Sequence, residues 1–60
     1  MPVVQIEMYP RSAEVKKELA KELTEVISRV SGAPPEAVHI IFRDMEKENY
    51  AIAGILQSAK

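Results

Sequence analysis

Cysteine and tryptophan are absent from this chain, and histidine occurs once, at His39. These absences remove the usual staples of a small domain, because no disulfide can form and a His/Cys metal site is unavailable. Aromatic residues make up only 5% of the sequence, and glycine occurs twice. No apolar run approaches the roughly 20 residues that cross a bilayer, and no basic segment followed by an apolar stretch opens the chain. Nor does one sign of charge dominate: 8 basic and 9 acidic residues are interspersed and give a net charge of -1. That pattern offers no basic stripe to a phosphate backbone. Neither nucleic acid nor membrane is an expected partner, and a cytoplasmic protein is the default expectation.

What is present is a high share of apolar residues, 47% of only 60. A chain of this length forms one domain, residues 1–60, and buries only about 60% of the surface that its unfolded form exposes. Domains below roughly 70–80 residues need a staple, idealised packing or self-association. With disulfides and metals excluded, self-association remains. Apolar faces covered by other copies of the chain account for the composition.

Residues 3–8 put Val4, Ile6 and Met8 on one face and Val3, Gln5 and Glu7 on the other, the alternation of a strand. Pro10 ends it, since proline removes a ladder donor and restricts the residue before it. Ser12 is placed as a helix N-cap and Glu14 adds negative charge near the positive end of the helix dipole. The helix therefore starts at about Ala13. Apolar residues recur at Val15, Leu19, Leu23, Val26, Ile27 and Val30, with Lys16, Lys17, Glu18, Lys21, Glu22, Glu25 and Arg29 mostly off that stripe. Gly32 supplies a left-handed C-cap, and Pro34 and Pro35 forbid continuation.

A second strand over residues 37–45 carries Val38, Ile40 and Phe42 on one face and His39, Ile41 and Arg43 on the other. Its apolar centre implies an interior place in a sheet. Strand, helix and strand make a βαβ unit with parallel strands, right-handed in about 98% of cases. The helix covers one face, and the other is expected to be apolar and to drive assembly. Residues 46–49 form a polar turn, and residues 50–56 suit a small hairpin that packs on a neighbouring subunit. Residues 57–60 are expected to fray. The expected class is α+β: a β-α-β unit with parallel strands and a short C-terminal hairpin, assembling into dimers and higher oligomers.

Pro2 opens the first strand, one of the few sheet positions where proline is tolerated. Removal of Met1 would turn its ring nitrogen into a secondary amine. An α-amine has a reference pKa of about 7.7–8.0, much closer to neutrality than a lysine, and burial beside a cation lowers it further. With Met1 attached, the same nitrogen is an amide and has no basic lone pair. Pro2 alone is a weak signal.

The order of features sharpens it: a proline after the initiator methionine, a strand, Arg11-Ser12 at the helix start, the Gly32-Ala33-Pro34 break, a second strand ending in Met45, and Tyr50-Ala51-Ile52-Ala53-Gly54. Over essentially its whole length the chain resembles the 4-oxalocrotonate tautomerase family. The resemblance implies dimers and trimers of dimers, active sites between subunits and no cofactor. It implies Pro2 as general base, Arg11 as binder of a substrate carboxylate, and Tyr50 as an aromatic wall of the pocket. His39 stands where many members carry a second arginine. A histidine lacks the fixed fork that grips a carboxylate in two places. Arg43 lies roughly 13 Å along the strand, too far to substitute without rearrangement. The expected activity is tautomerisation of an enol or unsaturated 2-oxo acid by a homo-oligomer, dimer or hexamer. The alternatives are hydration or dehalogenation of an unsaturated acid, or a non-enzymatic oligomeric module of the same fold.

Overall fold

The computed structural model describes residues 2–59. Strand β1 (Val3–Met8) leads into helix α1 (Ala13–Ser31), a 3-10 turn (Pro35–Ala37) and strand β2 (His39–Asp44). A second 3-10 turn (Lys47–Asn49), the two-residue strands β3 (Ala51–Ile52) and β4 (Ile55–Leu56), and a last 3-10 turn (Gln57–Ala59) complete the chain. β1 and β2 pair in parallel from Val3 opposite His39 to Met8 opposite Asp44, and β3 and β4 pair antiparallel. The expected α+β architecture is therefore present.

The helix boundaries follow from local chemistry. The Val15 amide donates to Ser12 Oγ at 3.2 Å, satisfying one unpaired donor of the first turn. At the other end Gly32 takes φ 81° and its amide donates to the Ser28 carbonyl at 3.0 Å. Two serines fasten the turn that follows. Ser31 Oγ donates to the Ile27 carbonyl and Ser28 Oγ to the Ala33 carbonyl, each at 2.6 Å.

Val4, Ile6, Met8, Ile40 and Phe42 are half-buried, whereas Val3, Gln5, Glu7, His39, Ile41 and Arg43 are exposed. The alternation expected of both strands is thus realised, with one face under the helix. The uncovered face is mixed rather than apolar. The second strand is shorter than residues 37–45, because Pro34 and Pro35 divert residues 35–37 into a 3-10 turn. Nor is β2 interior within the chain: among the described residues it pairs only with β1.

Three further expectations are corrected. Lys16 is half-buried rather than solvated, and its Nζ meets Asp44 Oδ1 at 2.7 Å, tying the helix to the end of β2. Val26 and Val30 lie off the covered face, 47% and 73% exposed, because Ala20, Thr24 and Ser28 occupy it instead. Residues 57–59 are not frayed: the Gln57 amide donates to the Tyr50 carbonyl at 2.8 Å and closes the hairpin. Lys60 lies outside the described residues. The hairpin turns through Ala53 and Gly54, both at positive φ, as a two-residue primed turn requires.

None of the described residues is fully buried, and the accessible surface is 4679 Å². A compact monomer of 6.7 kDa would expose about 3,900 Å². The excess, about 800 Å², is what one partner contributes to a standard protein interface. The Cα radius of gyration, 14.6 Å, tells the same story against about 10 Å for a compact chain of this length. Among the described residues no helix is long and apolar enough to cross a membrane.

Gly32→Ala tests the helix end. A Cβ there meets nothing within 4 Å, so only the left-handed backbone opposes it. The substitution should lower stability by about 1 kcal/mol, read by urea denaturation at matched protein concentration, and an unchanged midpoint would contradict the capping role.

Candidate functional site

Parallel pairing determines which site residues can meet. Pro2 is half-buried at the open start of β1, and its carbonyl accepts the His39 amide at 3.0 Å. That bond extends the ladder by one residue and fixes the Pro2 backbone beside the start of β2. His39 itself is exposed, on the face away from the helix and next to Val3. Pro2 and His39 thus share one end of the sheet.

Arg11 and Tyr50 belong to the other end. Arg11 is exposed in the connection between β1 and α1, immediately before the N-cap serine. Tyr50 is half-buried, following the 3-10 turn that leads into the hairpin. Its ring meets Tyr9 edge-on, with centroids 6.0 Å apart and planes at 71°. From Pro2 to Met8 is six strand residues, about 20 Å at 3.3 Å each. One chain therefore cannot put Pro2 and Tyr50 on the same small molecule. The four residues singled out from the sequence form two half-sites at opposite ends of β1.

The Tyr50 end carries a cavity of about 380 Å³ lined by Tyr9, Pro10, Met45, Glu46, Lys47, Glu48 and Ser58. Lys47 Nζ stands 5.9 Å from the Tyr9 ring centroid, within cation–π range. Tyr9 and Lys47 were not legible as site residues. The only available signal was an aromatic directly before the strand-ending Pro10. Chemically, one end offers a backbone-fixed proline and a hydrogen-bonding imidazole. The other offers Lys47 over the Tyr9 ring, with Glu46 and Glu48 in the same cavity lining, and an exposed Arg11 just before the helix. Among the described residues no cluster of three or more His, Cys, Asp or Glu is arranged to hold a metal ion.

Fold and residues together define a small α+β protomer with chemistry at both ends of a parallel strand pair. Comparison with known proteins assigns it further. The model of the family described as "Tautomerase enzyme" matches residues 2–60. A probable tautomerase of Lactiplantibacillus plantarum is 41% identical over 59 residues, covering 97% of this chain and 92% of the relative. A probable tautomerase of Streptococcus thermophilus is 51% identical over 51 residues, covering 83% and 84%. Among solved structures, a 4-oxalocrotonate tautomerase homologue superposes with a TM-score of 0.92 at 36% identity, over 100% of this chain and 97% of its own. A heterohexameric 4-oxalocrotonate tautomerase of Chloroflexus aurantiacus superposes with a TM-score of 0.88 at 27% identity, over 97% and 95%. The chain belongs to the 4-oxalocrotonate tautomerase family.

Removing the Tyr50 ring separates its packing role from any other. Tyr50→Ala loses the edge contact with Tyr9, worth about 0.5–1.5 kcal/mol beyond area burial. Denaturation midpoints should fall for Tyr50→Ala and far less for Tyr50→Phe; equal losses would show that the ring edge contributes nothing.

Proposed function

We propose that this protein is a keto-enol tautomerase acting on an enol or unsaturated 2-oxo acid of the 2-hydroxymuconate kind, with Pro2 as its general base once Met1 is removed. The observation that carries the reading is the half-buried Pro2 at the mouth of β1, its carbonyl tied to the His39 amide at 3.0 Å. Family membership supports the reaction class.

In the forward direction the neutral Pro2 amine takes the enol hydroxyl proton. The O–H electrons become the carbonyl π bond, the carbon–carbon double bond shifts along the conjugated chain, and a distal carbon takes the proton back from the prolinium. Bonds and charges balance without an oxidant or a second substrate. One base serves both steps because both atoms lie within its reach, which is catalysis by proximity. Arg11 holds the far carboxylate, and Tyr50 walls the pocket. His39 and backbone amides stabilise negative charge developing on oxygen.

The two half-sites are about 20 Å apart along the strand, so Pro2 and His39 act with Arg11 and Tyr50 of another copy. The reading thus includes a homo-oligomer, a dimer or a hexamer. The excess surface of the protomer and the hexameric organisation named for the Chloroflexus relative both favour it.

Intact mass spectrometry paired with an ultraviolet assay of 2-hydroxymuconate and phenylenolpyruvate tests the base. Chains lacking Met1 should turn both over, and chains retaining it should not. Equal rates for the two forms would remove Pro2 from the reaction.

The histidine at position 39 sets a second expectation. A hydrogen bond to a charged group contributes about 1.5–3 kcal/mol, and each 1.36 kcal/mol is about tenfold in rate. His39→Arg should therefore raise kcat/KM for the diacid roughly ten- to a hundredfold and for the monoacid less. Arg11→Ala should damage both, mainly through KM. An efficient wild-type diacid enzyme with no gain from His39→Arg would mean that another group holds the second carboxylate.

A further inference from the structure

Arg11 has no tie of its own. It is exposed, and among the described residues its guanidinium makes no ion pair. It lies in the connection of residues 9–12 between β1 and α1, so its place is decided by what fastens the two ends of that connection. At the strand end, the Met8 carbonyl accepts the Met45 amide at 2.8 Å. At the helix end, the Ser12 carbonyl accepts the Lys16 amide at 3.2 Å, and Ser12 Oγ accepts the Val15 amide at 3.2 Å.

The two ends meet in one ion pair. Lys16 Nζ lies 2.7 Å from Asp44 Oδ1, and Asp44 is both the register partner of Met8 and the neighbour of Met45 in sequence. Chain and contacts thus form a closed ring that runs from Met8 through residues 9–12 to Lys16, across to Asp44, and by Met45 back to Met8. Arg11 lies in the only loop of that ring. Residues 46–49 lead from Met45 to Tyr50, whose ring meets Tyr9 in the same loop.

The pair is poorly placed to contribute stability. Its side chains are 27% and 45% exposed, and ion pairs in contact with water add little. Its position is more telling than its energy: it is the only ion pair among the described residues, and it joins groups 28 residues apart.

We propose that Lys16 and Asp44 are positioning residues for Arg11, their ion pair closing the ring that sets the guanidinium where a substrate carboxylate arrives. This rests on the reading of Arg11 as the carboxylate binder. A group held in place beforehand loses less freedom when it binds. Breaking the pair leaves the Ser12 cap intact but lets the start of α1 shift against β2, and the guanidinium then samples positions that miss the carboxylate. The cost falls on KM rather than kcat, because Pro2 and His39 belong to the other end of the strand pair, about 20 Å along it, and keep their own contacts.

Steady-state kinetics of chains lacking Met1, with 2-hydroxymuconate and phenylenolpyruvate, test the proposal. Lys16→Met and Asp44→Ala should each raise KM roughly three- to tenfold for both substrates, below the roughly hundredfold that a misplacement of about 1 Å can cost, and should change kcat by less than about twofold. In an Arg11→Ala background neither should raise KM further. The reciprocal exchange, Lys16→Asp with Asp44→Lys in one chain, should return KM toward wild type. Sedimentation and far-ultraviolet circular dichroism verify fold and assembly, and Asp44→Asn, of the same shape, replaces Asp44→Ala if that variant does not assemble. A raised KM for Arg11→Ala beside an unchanged KM for the pair variants would overturn the proposal alone. So would a rise that adds in full to that of Arg11→Ala, or a Lys16→Met rise beside an Asp44→Ala fall, which would put Lys16 itself on the substrate. A wild-type KM for Arg11→Ala would overturn the reading of Arg11 and the proposal with it.

Discussion

A single helix laid on two strands cannot enclose anything, and the rest of this structure follows from that. The parallel ladder between β1 and β2 is complete from end to end, and the Pro2 carbonyl extends it by one further bond. Each side chain it carries nevertheless remains partly in water. Hydrogen bonding fixes the geometry of the protomer, while the hydrophobic stabilisation that a chain this small needs must come largely from surface it has not yet covered.

The same geometry explains how so small a chain can hold a multi-residue site. A parallel βαβ unit returns the chain to the end from which it started, which is why Pro2 and His39 are neighbours despite 36 intervening residues. The hairpin, by contrast, leaves from the end of β2 and stacks Tyr50 on Tyr9. Strand length then keeps Pro2 and Arg11 apart in one chain. Under the proposed function, assembly with another copy is what would bring the two ends together.

Much of this was legible in the residues. Period-two alternation and Pro10 gave β1 its limits. Ser12, Gly32 and the Pro34-Pro35 pair marked the helix, since each acts through its own backbone or its nearest neighbours. The faces of α1 were harder to read. A continuous three-and-four stripe from Val15 to Val30 hides the fact that its members serve two surfaces, one under the sheet and one open. Lys16 reads as a solvated charge for a related reason: the group that answers it, Asp44, is 28 residues away in sequence. Of the site, Pro2, Arg11, His39 and Tyr50 stood out through the pattern of a family. Tyr9 and Lys47 did not, because their proximity is created by the turn at Lys47–Asn49 and no spacing announces it.

The central claim is that the reaction uses the Pro2 end of one copy with the Arg11 end of another, and subunit mixing addresses it most directly. Chains extended ahead of Pro2, which block the base, would be denatured together with Arg11→Ala chains, refolded as a mixture and assayed for enol turnover. The account predicts activity well above that of either parent refolded alone, because some mixed assemblies pair an intact Pro2 with an intact Arg11. A mixture no more active than the sum of its parents, with mixed assemblies demonstrated by native mass spectrometry, would contradict it.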